Sequence, residues 1–536
     1  MRSVPTSVRA AIPAWRPTGT RRAQWWVTWA LLFGISALWS ISGPLFSGPD
    51  EPSHVVKGAA VARGQLVGTD RRVGAVDDPG ARSATFVRVP AVFAKSHEMP
   101  ACYAFRPDTP AGCAGAFAGS ATEAEVFTFS GHYQPVYYAI VGVPTLVLAS
   151  AKGVFLMRLL GAALSAALLA SALASASSSR RRAMLIPGTA LAMTPMVLYT
   201  ASVVNPSALE IPAALCVWIS TLVLVADLDG AGDGRLVARI GVSGALLALS
   251  RGLSPLWLVV IAMVALAATQ RGTLVRLAGR RDVRLCALGL VAAIGLAAAW
   301  LVLASGLEIR DPPRAPNTSV AATVRASLGD TDTDLRGMIG WFGWLDIEAP
   351  ALARHLWLSA VGAVVLGAFA VGRRRYVVAL AILLVTVVVL PVVLETIQAP
   401  KLGPFWSGRY TLPLAVGVPP LAALAIADRI HQPSEILSRL VAVVLGALAL
   451  GHVLSYAAAT RRYTVGTSGP VMYVLGGDGW RPPVPAWALL AGFVAAAAAL
   501  ATWLHRLAMQ PVAAEGQASP VPDPPGLHQT RPATAV

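Results

Sequence analysis

A short run near the N-terminus, Ser47 to His54 (SGPDEPSH), sets Asp50 beside Glu51 and puts His54 about one helical turn further on. If Pro52 starts a helix, Asp50 and His54 are four apart and Glu51 and His54 three apart, on adjoining faces. Two chemistries suit such a set. Asp50 and Glu51 can form a catalytic pair, one carboxylate serving as general base toward an acceptor hydroxyl while His54 touches the substrate. Alternatively, Asp50 and His54 can hold a divalent ion, magnesium or manganese. The same residues also read as an ordinary helix start, with Pro52 in the first turn and an acid capping exposed amides.

Further polar residues recur at the ends of apolar stretches. Arg158 in FLMRLL, Arg251 in SRGLSP and Arg409 in SGRY each stand near a membrane boundary. Any one of them is explained by snorkelling to lipid headgroups, but the three together make an anion site whose guanidinium forks match phosphate oxygens. Tyr410 follows Arg409 directly. Asn205 and Glu210 flank a break between two apolar segments in NPSALE. Asn205 suits a helix cap, whereas Glu210, one turn into an apolar helix, calls for a partner. Asp346 is embedded in the aromatic run GWFGWLD, which fits either an interfacial belt or a surface on which a sugar stacks. These residues, with His54, are the candidate substrate-binding set.

The elements that must position them are membrane helices. Of 536 residues, 55% are hydrophobic and 13% charged, and the mean hydropathy is +0.62, which describes a polytopic membrane protein rather than a soluble one. The expected organisation is a basic cytoplasmic leader (1–24), a first span (25–43), an external loop with the acidic motif (44–132), core spans (133–306), a second external loop (307–351), C-terminal spans (352–508) and a disordered proline-rich tail (509–536). If every apolar segment crosses, the clusters SSSRRR and RGTLVRLAGRRDVR land outside, against the positive-inside pattern. The segment 134–150, interrupted by Pro135 and Pro144 and bounded by aromatics, is the one to withdraw. As a juxtamembrane or re-entrant helix it leaves an all-α bundle of about twelve crossings with two larger external loops. All the polar motifs then share the outer face.

A formal net charge of +16 points elsewhere than to nucleic acid, because the basic residues fall in short clusters between spans and form no continuous patch. The partner they imply is the bilayer. Cys102 and Cys113 share the first external loop, where an oxidising compartment permits a disulfide, while Cys216 and Cys286 lie in spans. Walker-type loops, dinucleotide fingerprints, HExxH, CxxC and nucleophile elbows are absent, which argues against an ATP-driven pump, a redox enzyme or a zinc protease.

The motifs GPDEPSH, YQPVYY, NPSALE, SRGLSP, GWFGWLD and SGRYTLP, in this order and as far as about residue 470, resemble an uncharacterised family of bacterial polytopic membrane proteins. More broadly, an acidic pair opening the first external loop resembles the GT-C superfamily of glycosyltransferases. That resemblance implies a polyprenyl-phosphate-linked sugar as donor, a cell-envelope acceptor, a site on the extracytoplasmic face of the bacterial cytoplasmic membrane, and Asp50 as the catalytic or metal-binding acid. The sequence His132-Tyr133-Gln134-Pro135 departs from the His-Pro-Pro or Lys-Pro-Pro common in those enzymes, and Asn205 stands where some carry a second acid. Two other functions use the same residues differently: a transporter or flippase of an envelope lipid intermediate, and a non-catalytic membrane scaffold.

Overall fold

The computed structural model describes residues 20–74, 82–227, 233–306, 311, 313–315, 318–429, 434–475 and 479–510. Most of the basic leader and nearly all of the proline-rich tail, about which the sequence made definite expectations, lie outside the described residues. The first half of the chain runs α1 (Arg21–Ser42), α2 (Glu51–Ala62), β1 (Thr69–Val73), β2 (Arg82–Pro90), β3 (Glu123–Thr128), α3 (Val136–Val141), α4 (Ala151–Ser178), α5 (Arg182–Ala192), α6 (Pro195–Thr200), α7 (Ser207–Ala226), α8 (Asp233–Ala248), α9 (Ser254–Ala268), α10 (Arg271–Gly279) and α11 (Arg281–Leu303). The second half runs α12 (Val320–Gly329), α13 (Thr331–Ile339), the strand pair β4 (Trp341–Phe342) and β5 (Ile347–Glu348), α14 (Ala351–Val371), α15 (Arg374–Leu402), α16 (Gly408–Ala415), α17 (Val418–Ala427), α18 (Glu435–Val465) and α19 (Ala486–Ala508).

Nine helices among the described residues are long and apolar enough to cross a membrane, with α16 and α17 together forming one of them. Three expected crossings account for the difference from about twelve. The segment 183–203 is broken: α5 stops at Ala192, and Thr194 caps α6 by accepting from the Val197 amide while Pro195 occupies the first position. The segments 236–250 and 252–269 are α8 and α9, of 16 and 15 residues, shorter than the roughly 20 residues a straight span needs. Residues 133–150 form the six-residue α3 and a short 3-10 turn, too short to cross.

α7 is the centre of the bundle. It is apolar on all sides and almost wholly buried, packed between α4 and α8, as expected of a helix without a polar face. Trp218 of α7 lies so close to Gly417 that a Cβ there would come within 2.4 Å of the indole. α11 and α14, by contrast, leave most of their apolar side chains exposed, among them Leu288, Val291, Leu296 and Leu366. Those surfaces suit hydrocarbon rather than water.

The segment between α1 and α3 is not simply loop, which corrects an all-α reading. β1, β2 and β3 form an antiparallel sheet in that order, with Asp70 opposite Thr85 and Thr85 opposite Thr128. β2 has the period-2 burial of a half-buried strand, with Val87 and Val89 inward and Arg88 outward. The sheet packs on α2. Below it, Cys102 and Cys113 are joined by a disulfide between two 3-10 turns.

Candidate functional site

The turn Gly48-Pro49-Asp50 delivers the chain into α2 with Asp50 in the left-handed region, at φ 57°. A non-glycine residue there is uncommon, although Asp tolerates it better than most. Its carboxylate makes no cap bond, and its side chain is 57% exposed in a run of buried neighbours. Glu51 is its opposite. One oxygen accepts from Arg158 Nε (2.7 Å) and the Val204 amide (3.0 Å), the other from Arg158 Nη2 (2.6 Å) and the Gly48 amide (3.0 Å). The rest of the Arg158 fork donates to the carbonyls of Ser40, Gly43 and Pro44.

Glu51 and Arg158 are both fully buried, and every donor of the guanidinium is spent. The pair fastens the end of α1, the start of α2 and α4 together. This corrects the assignment of Glu51 to catalysis and of Arg158 to anion binding, because neither has bonding capacity left for a ligand. Asn205 is likewise structural. Its amide donates to the Pro49 carbonyl (3.1 Å) and its oxygen accepts from the Ser207 amide (2.9 Å), so one side chain meets the first amide of α7 and holds the turn that presents Asp50.

His54 lies one turn into α2, 3% exposed, with Nδ1 at 2.8 Å from the Tyr138 hydroxyl and 3.1 Å from Ser130 Oγ. Burial pushes its pKa down to about 3, with Asp50 opposing and Arg251 and Arg409 reinforcing the shift. His54 Nδ1 is thus engaged by two hydroxyls rather than by Asp50. Among the described residues no group of three or more His, Cys, Asp or Glu side chains could hold a metal ion, so Asp50 and His54 bring no third such ligand to magnesium or manganese.

Arg409 meets Asp50 from the far end of the chain. Gly408 fixes where α16 starts, since a Cβ there would stand 2.0 Å from the Asp334 carbonyl of α13. Arg409 is 4% exposed, and its Nη2 donates to Asp50 Oδ2 (3.2 Å) and to the Tyr410 hydroxyl (3.1 Å). Its Nε and Nη1 have no partner, a costly arrangement for a buried cation. Arg251 lies over the Tyr410 ring at 4.9 Å, donates to Ser207 Oγ (2.9 Å), and stands 3.7 Å from Glu210. Glu210 also accepts from Ser254 Oγ (2.7 Å) and Trp257 Nε1 (3.1 Å), which supplies the partner its depth in α7 demands.

Tyr410, Arg251, Glu210 and Trp257 line a cavity of about 500 Å³, together with Tyr133 and Trp406. Asp50 and Arg409 are not in its wall; they adjoin it through the bond from Arg409 to Tyr410. The lining also holds Asp70 and Thr85, which the motifs did not reveal, beside His132. Asp70 Oδ1 accepts from Thr85 Oγ1 (2.7 Å) and lies 3.0 Å from His132 Nε2, while His132 Nδ1 lies 2.5 Å from the Ala304 carbonyl. Strand register brings Asp70 and Thr85 together, and register is not legible from residue types alone.

Asp346 stands apart from this cavity. It accepts from the Phe105 amide (3.1 Å), the Trp344 amide (3.0 Å) and Arg462 Nη2 (3.0 Å). Buried Arg462 also donates to the carbonyls of Tyr103, Arg106 and Thr109. Asp346 therefore ties the segment before α14 to the one between α1 and α3, away from the cavity where the expected substrate contact would be made.

None of the curated proteins compared with the chain matches it. A family model does match, over residues 32–418, which takes in every residue from Asp50 to Tyr410 but ends short of the boundary near 470 suggested by motif order. The chain thus belongs to the family described as predicted membrane protein (DUF2142), whose function is unknown.

Proposed function

We propose that the protein is a GT-C-like glycosyltransferase that moves a sugar from a polyprenyl-phosphate donor to a cell-envelope acceptor on the extracytoplasmic face of a bacterial cytoplasmic membrane. The observation that carries this reading is the half-exposed Asp50 paired with a buried Arg409 that keeps two unmatched guanidinium nitrogens beside an aromatic-lined cavity. In the proposed step the acceptor hydroxyl attacks the anomeric carbon as its proton passes to Asp50. The bond from that carbon to the phosphate oxygen breaks, and the lipid phosphate departs with its charge met by Arg409 and Arg251. The donor already carries an activated leaving group, so the step requires no nucleotide.

On this reading α5–α6, α8 and α9 cross together with the nine long helices, and the arginine clusters assign the N-terminus to the cytoplasm. The placement of charge supports this orientation. Arg181 pairs with Asp227 and Asp428, and Arg373 with Asp428, while Arg158 lies near the other end of the 28-residue α4. The basic cluster and the acidic motif therefore occupy opposite ends of the bundle, as the positive-inside pattern requires.

The test is sugar transfer by the purified full chain in lipid, from a panel of radiolabelled polyprenyl-phosphate sugars to envelope acceptors, with donor binding followed in parallel. Asp50→Asn is expected to retain donor binding and to lose transfer by about 100-fold or more. Equal transfer by both proteins would remove Asp50 from the chemistry. Lipid binding and translocation without transfer by the unaltered protein would replace this reading with a flippase.

A further inference from the structure

Gln134 stands between Tyr133 and Pro135, just before α3, and lines the cavity. Its side chain belongs to a residue only 2% exposed, yet neither Nε2 nor Oε1 has a hydrogen-bond partner. A buried amide unmatched at both ends is unfavourable, and folded chains keep such a group where something outside the fold supplies the bonds. The chemistry of the missing partner is constrained. Oε1 needs a donor and Nε2 an acceptor, and a hydroxyl can be either. Two adjacent hydroxyls on one ring would satisfy both ends. The same cavity is lined by the aromatic residues Tyr133, Trp257 and Trp406, of a type that stacks on the C–H face of a sugar, and by Arg251, a cation for a nearby negative charge.

We infer that Gln134 recognises paired hydroxyls of a sugar ring held in this cavity. The inference rests on reading the cavity as the place where a transferred sugar is bound. It adds the residue that distinguishes a sugar-bearing lipid from a bare lipid phosphate.

The experiment follows quenching of tryptophan fluorescence, with Trp257 and Trp406 in the cavity wall, for the full chain in lipid nanodiscs. The probes are polyprenyl phosphate alone, polyprenyl phosphate bearing glucose, mannose, galactose or arabinose, and the corresponding soluble methyl glycosides. Gln134→Leu is expected to weaken the preferred sugar-bearing lipid about tenfold, to the affinity of the bare lipid phosphate, and to leave the latter unchanged. Loss confined to the soluble glycosides would assign the ring to the acceptor instead of the donor, with the same role for Gln134.

Without ligand, Gln134→Leu should unfold at the same or a higher temperature, because the amide it removes bonds to nothing in the fold. A large fall in that temperature would make the amide a structural group and overturn the inference. So would equal affinity of both proteins for every sugar-bearing probe, or failure of the unaltered protein to bind any of them. Sugar binding that depends on Gln134 but leads to transfer from no donor would uphold the inference and dismiss the transferase reading.

Discussion

Asp50 and Glu51 are neighbours in the chain and each faces an arginine, yet the two pairs are built in opposite ways. Around Glu51 both oxygens are matched, all the donors of Arg158 are used, and solvent is excluded. Around Asp50 the carboxylate is half-exposed, one guanidinium nitrogen reaches it, and two others on Arg409 are unmatched. A saturated pair holds structure and can do nothing else. An unsaturated pair is held by its surroundings at some energetic cost, which is the usual condition of a group kept for a ligand.

The sharpest way to break this comparison is to remove each acid in turn. Glu51→Gln leaves a buried guanidinium without its counter-charge and is expected to cost about 3–5 kcal/mol, read as a fall in unfolding temperature and in the yield of folded protein. Asp50→Asn, at an exposed carboxylate, is expected to cost under about 1 kcal/mol in the same measurement. Equal losses would erase the distinction between the pairs. Next in size, Arg409→Lys keeps the charge but loses the fork, so affinity for polyprenyl phosphate should drop about tenfold with little change in stability. An unchanged affinity would locate the anion elsewhere.

A smaller effect concerns pH. His54, held down to about 3 by burial, is neutral in the fold and binds a proton more readily when unfolded, where its ordinary value is near 6.5. Its contribution is therefore present above pH 6.5 and declines as the pH falls from there toward 3. His97, pushed down to about 4 by burial, acts in the same direction. Replacing His54 by Gln should flatten part of the acid limb of an unfolding-temperature profile between pH 6.5 and 4. A profile of unchanged steepness would exclude His54 as a contributor.

Much of the helical architecture is legible in hydropathy, because an apolar run long enough to span is a strong local signal. The break between α5 and α6 is legible only in retrospect, from Thr194-Pro195 in the middle of such a run. The sheet escaped notice although β2 alternates in the expected way, since its meaning depends on two distant strands. The same holds within the site. Residue type marks Asp50, Glu51, Arg158 and Arg409 alike as interesting. Which acid meets which arginine is decided by partners 107 and 359 residues away. Gln134 lies within the YQPVYY motif, but only the lack of a partner in the fold singles it out from its neighbours there.

The anchoring of Asp346 by Arg462 bears on how much of the chain makes one folding unit. Arg462 lies at the end of α18, beyond the family match that ends at residue 418, and it holds the carbonyls of Tyr103, Arg106 and Thr109 as well as Asp346. α19 returns to the beginning of the chain, where Trp503 donates to Thr28 of α1 (2.9 Å). A polypeptide cut at 418 would keep all the residues of the cavity and lose α17 together with the two helices that hold Asp346 and the first helix in place. The recognisable portion of the sequence is thus smaller than the portion that must be present for it to close on itself.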